Sequence, residues 1–148
     1  MGELQNENDL FYTCSLIEYI SRKTKNYKKT VIEKLGKNNI NKIYNLAEVY
    51  HCENIDKVAD EFIEKANIKN GIYDTISTCK YNVPSYWDIG KVYKRLIIMV
   101  NNNEKQYIET LINILSSWII EKIDNYNSSM YYENPEYIYE CYIEGKIL

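Results

Sequence analysis

The side chains best equipped for chemistry are the four cysteines, Cys14, Cys52, Cys79 and Cys141, and the one histidine, His51. Cys52 follows His51 directly, and Glu53 follows Cys52. Two helical ligands share a metal when they stand three or four residues apart, because adjacent side chains leave the helix in different directions. The His51-Cys52-Glu53 run therefore reads as a helix end near a cap, not as a metal site. A Cys–His nucleophile pair needs a thiolate beside a base that a third group orients. No cysteine here is flanked in the manner of a known nucleophile motif. The cysteines are far apart and form no C-x-x-C, so four free and mostly buried thiols are expected. Gly36, Gly71, Gly90 and Gly145 are isolated, so there is no Gly-rich phosphate loop. Asp56 with Asp60, and Asp60 with Glu64, pair at helical spacing, and a wet helix face accounts for them. No catalytic residue, metal ligand or cofactor is expected, and an enzyme ranks behind two binding readings.

The first binding reading is a protein contact. Tyr126, Tyr131, Tyr132, Tyr137, Tyr139 and Tyr142 cluster near the end of the chain, with Met130 and Trp118 nearby. Residues 121–146 carry six carboxylates against two lysines. One narrow helical stripe cannot bury Tyr137, Ile138, Tyr139 and Tyr142 together, so part of this aromatic surface should face solvent. Tyr, Trp and Met are enriched at the centres of interfaces, with charged residues on the rim. The expected contact set is Tyr131, Tyr132, Glu133, Glu136, Tyr137, Tyr139 and Glu140. A competing explanation is compositional: 16 Tyr against 2 Phe, with abundant Asn, Ile and Lys, is the bias of an AT-rich genome.

The second reading is nucleic-acid binding. Residues 22–42 hold eight Lys and Arg against Glu33 alone. Arg22, Lys23, Lys25, Lys28 and Lys29 would neutralise phosphates, and Tyr27 would stack on a base. The plainer explanation is a solvated loop whose cations suit the C-terminus of the preceding helix. The overall net charge of −3 does not suggest a general nucleic-acid binder.

The elements that must position these groups are helices. A chain of 148 residues fits one domain, 1–148, with residues 1–8 as a flexible N-terminus. With 5 Gly and 2 Pro there is little material for tight turns, which favours helices over a many-stranded sheet. The predicted fold is all-α, a compact bundle of about six to seven helices with short polar connections. Apolar spacing places helices at about 10–21 (N-cap Asp9), 28–35 (stopped by Gly36), 40–50 and 55–66 (N-cap Asn54). Residues 72–83 read as loop. Ser85 and Asp88 form a capping box for a helix over 86–100. The longest and most central helix is expected over 104–124, with Trp118 buried. Asn134 and Pro135 then start a last helix that Gly145 ends. No apolar run is long enough for a membrane span, and no secretory signal is read at the start. A cytoplasmic protein is expected.

The run Phe11-Tyr12-Thr13-Cys14-Ser15-Leu16-Ile17-Glu18-Tyr19-Ile20 leads into a Lys-rich turn. The Val31–Leu35 helix with Gly36, the 43–51 segment and the 55–63 segment follow. Over residues 9–66 this order resembles small uncharacterised helical domains of low-GC bacteria and their mobile elements. The resemblance rests on pattern and supplies no functional residues. It implies a bacterial-conflict setting: an antitoxin, or an anti-CRISPR-like inhibitor of a defence effector. The partner would be a bacterial effector or toxin that this chain blocks without catalysis.

Overall fold

The computed structural model describes residues 2–102 and 106–148. Its elements, in chain order, are α1 (Gly2–Thr24), α2 (Lys28–Asn45), α3 (Ala47–Tyr50), α4 (Ile55–Lys65) and α5 (Tyr86–Asn101). They continue with α6 (Tyr107–Leu115), α7 (Ile119–Ile123), a 3-10 turn at Met130–Tyr132 and α8 (Pro135–Glu144). The fold is all-α, with no strand among the described residues. No described helix is long and apolar enough to cross a membrane.

Local chemistry sets most boundaries. The Asn54 side chain accepts the Asp56 backbone N–H at 2.8 Å and opens α4. At α5, Ser85 Oγ accepts from the Asp88 N–H at 3.0 Å, and the Asp88 carboxylate accepts from the Ser85 N–H at 3.1 Å. Asn134 caps α8 over Pro135, and Gly145, at φ +76°, closes it in the left-handed region. Gly36 sits at φ 73° and ψ 163°, which breaks the helical path inside α2 into two rods. Residues 72–83 form irregular structure, pinned by the Asp74 carboxylate, which accepts from the Ser77 hydroxyl and from the Ile76 and Ser77 N–H groups.

The helix at the centre is α1, and the expectation that residues 104–124 would take that place is corrected. Every residue from Tyr12 to Glu18 is buried. α1 lies along α5, with α2 and α6 packed beside them and α8 packed on α5. The two central helices meet closely at Gly90, where an added Cβ would lie 3.0 Å from Ser15 Cα. α1 also begins earlier than read: residues 2–8, expected as a flexible N-terminus, are its first turns, and Asp9 lies inside the helix and is not its cap. Residues 104 and 105, the expected start of the long helix, lie outside the described residues. The rest of that helix is interrupted at Ser116–Trp118 and becomes α6 and α7. Ser117 lies at the break, where its hydroxyl donates to the Ile114 carbonyl at 2.6 Å. Trp118 is half-buried and not a core residue.

Candidate functional site

The most constrained side chains form a buried ionic cluster that the sequence reading did not assemble. Glu18 and Arg22 come from α1, Lys28 from the start of α2, Tyr93 from α5, Asp124 from the end of α7 and Tyr126 from the loop beyond it. The Lys28 ammonium, with 1% of the side chain exposed, touches the Glu18 carboxylate and donates to Asp124 Oδ2 at 2.8 Å. Arg22 Nε donates to Glu18 Oε2 at 2.6 Å, and the Tyr126 hydroxyl donates to the same oxygen at 2.8 Å. The Tyr93 hydroxyl donates to Asp124 Oδ1. Two cations thus face two carboxylates, with two phenols filling remaining acceptor sites, so each buried charge has partners.

The two acids do not share the cations equally. Burial pushes the Glu18 carboxyl up, but Lys28 and Arg22 together outweigh it and hold its pKa below the usual carboxylate range. Asp124 has Lys28 but not Arg22. Burial, with the Glu18 charge adding to it, raises its pKa to about 6. For Lys28 burial acts downward, and the two carboxylates reverse it and raise its pKa. The cluster borders a cavity of about 480 Å³, lined by Tyr27, Lys28, Trp118 and Asp124 among others.

This arrangement places the expected nucleic-acid contact in a different light. Lys28, read as part of a solvated basic segment, is in the interior. Arg22 serves Glu18 and also donates to the Pro84 carbonyl at 2.8 Å. Lys23 bridges Asp56 and Asp60, each at 2.7 Å, and Lys25 faces Asp74 at 3.7 Å. Tyr27 stacks on Tyr73 with ring centroids 3.9 Å apart. Of the six residues singled out, Lys29 alone is an exposed cation without an ion pair among the described residues. The segment's charges mainly join helices together.

The C-terminal aromatic edge is more open. Tyr132 is 69% exposed at the end of the 3-10 turn. Tyr131 is half-buried, meeting the Tyr126 ring edge-on at 5.6 Å and the Tyr132 ring at 4.9 Å. Tyr126 itself is buried. The ionic cluster therefore anchors this edge through Tyr126. Tyr131, Tyr132 and Glu133 line a groove of about 400 Å³ against α5, together with Pro84, Val92 and the buried Ile138. Glu133 is half-buried and accepts from the Ser129 hydroxyl at 2.7 Å, while Glu136 and Glu140 are exposed. Tyr137 and Tyr139 are half-buried, and the Tyr137 hydroxyl donates to the Leu148 carbonyl at 2.7 Å. The expected contact residues thus do not form one surface: Tyr131, Tyr132 and Glu133 line the groove, Glu136, Tyr139 and Glu140 lie on the outer side of α8, and Tyr137 lines a separate cleft with Met130 and Ile147.

His51 lies at the exposed end of α3, with its ring 5.6 Å from Tyr12 and 5.7 Å from Trp87. The four cysteines are free; Cys14 and Cys141 are buried, Cys52 is exposed. Among the described residues no group of three or more His, Cys, Asp or Glu side chains is placed to hold a metal ion. Compared with protein-family models, curated proteins and solved structures, the chain matches none.

Proposed function

We propose that this chain is a non-enzymatic protein-binding domain that acts by covering a surface of its partner. The observation that carries the reading is Tyr132, an aromatic ring mostly in solvent at the edge of a groove and edge-on to Tyr131, which in turn meets the buried Tyr126 ring. A tyrosine has only two side-chain torsions to fix on binding, so at a groove edge it offers a large apolar contact at small conformational cost, which is what an anchor residue requires. The finer form of the proposal is an antitoxin or an inhibitor of a bacterial defence effector, working in the cytoplasm. It is supported by the resemblance over residues 9–66 and by the acidic balance of the C-terminal region, which suits the basic surface of a nucleic-acid-processing enzyme. The nucleic-acid reading is weakened, because most of its cations already have carboxylate partners.

The test is capture from an extract of the producing cell on immobilised wild-type chain, with and without nuclease. A protein retained after nuclease treatment by wild type, and lost with Tyr132→Ala, is the expected result. Retention of nucleic acid alone, or of the same protein by both chains, contradicts the proposal.

A further inference from the structure

The outer side of α8 lies outside the groove, and of its side chains only half-buried Tyr139 reaches back to pack against the core. α8 packs on α5 through Ile138 and Cys141, both buried. At 3.6 residues per turn, Glu136, Tyr139, Glu140 and Ile143 fall on the opposite side. Ile143 is 52% exposed at the middle of that side, one turn beyond half-buried Tyr139. Glu136, Glu140 and Glu144 run beside this apolar line at four-residue steps, all exposed. Among the described residues none of the three enters an ion pair.

The electrostatics of this face are incomplete. Like charges at i and i+4 disfavour a helix. The last turn of α8 carries no basic residue, so Glu144 sits unneutralised at the negative end of the helix dipole. A free helix would be better served by lysines there. The missing cations, and a cover for Ile143 and the open part of Tyr139, would come together from one object: a helix with an apolar seam between basic flanks.

Resting on the protein-binding reading, we infer that the outer face of α8 docks a basic amphipathic helix of the partner. Tyr139 and Ile143 pack into its seam, and Glu136, Glu140 and Glu144 pair with its lysines or arginines. Tyr132, next to the start of α8, extends the contact toward the groove.

The probe is a synthetic 18-residue helical peptide with a leucine seam flanked by lysines, titrated into the full chain and followed by backbone amide NMR. Shifts should concentrate on residues 136–144. Ile143→Asp should weaken binding tenfold or more. The triple variant Glu136→Gln, Glu140→Gln, Glu144→Gln should also weaken it and flatten its salt dependence. A glutamate-flanked version of the peptide should not bind. Each variant is first melted; if Ile143→Asp destabilises the fold, the triple variant decides. Equal binding by a scrambled peptide of the same composition, or shifts centred elsewhere, overturns the inference. A captured partner that needs Tyr132, is not displaced by the peptide and ignores Ile143→Asp also overturns it, while leaving the protein-binding reading intact.

Discussion

A lysine with 1% of its side chain exposed keeps its charge only because carboxylates meet it. Lys28 is held by Glu18 and Asp124, and removing it would leave two acids facing each other in the interior. Lys28→Ala should cost about 3–5 kcal/mol, measured by urea denaturation. Asp124 gives a separate signature in pH. Its pKa rises from 3.8 to about 6, so the folded state holds this proton more tightly than the unfolded chain. Stability should therefore fall as pH rises from about 4 to about 6, and level off above that. Glu18 acts in the opposite sense: its stabilisation is present above 4.5 and lost as pH falls below it. Between pH 4.5 and 6 the Asp124 effect stands apart, and Asp124→Asn should remove that slope from the melting profile. Part of this cluster was legible: Glu18 and Arg22 stand four residues apart on a helix, the spacing of an ion pair. The rest was not, because Lys28, Tyr93 and Asp124 meet only through tertiary packing across three other elements. A run of cations in sequence looks solvated until the carboxylates from distant segments arrive.

The elements were most legible where a cap or breaker marks them. Asn54, the Ser85–Asp88 box, Asn134-Pro135 and Gly145 all act where the sequence placed them. Apolar spacing alone was less reliable. It ran unbroken through residues 108–123, yet the chain leaves the helix at Ser116–Trp118 without proline or glycine. Apolar spacing also says nothing of the polar residues of α1, yet Thr13, Ser15 and Glu18 are buried with the apolar ones. Two expectations follow at this scale. Gly90→Ala should cost about 1–3 kcal/mol, although alanine is the better helix former, because its Cβ would meet α1 at Ser15. Trp118→Ala should cost less than the ~3 kcal/mol at the low end for a core tryptophan, since this ring is half-buried on a cavity wall. Chemical denaturation of both variants checks the pair.

At the scale of the whole molecule, charge asymmetry in the sequence becomes a division of labour. The cations of residues 22–28 pair within the chain: Arg22 and Lys28 with Glu18 and Asp124 in the interior, Lys23 and Lys25 with Asp56, Asp60 and Asp74 at the surface. The acidic stretch keeps Glu136, Glu140 and Glu144 in solvent beside Tyr132 and Ile143. The all-α class was legible from the scarcity of Gly and Pro; the narrow-stripe argument concerned Tyr137, Tyr139 and Tyr142, which are all half-buried, and the exposed ring is Tyr132 on the 3-10 turn. Which tyrosines stay outside was set by packing: Tyr126 goes in to meet Glu18, and Tyr132 stays out. The most direct measurement is the dissociation rate of the captured protein partner from wild type and from Tyr132→Ala at matched melting temperature. Loss of an anchor worth about 2 kcal/mol should speed release roughly 30-fold. An unchanged rate would contradict the assignment of this edge as the binding surface.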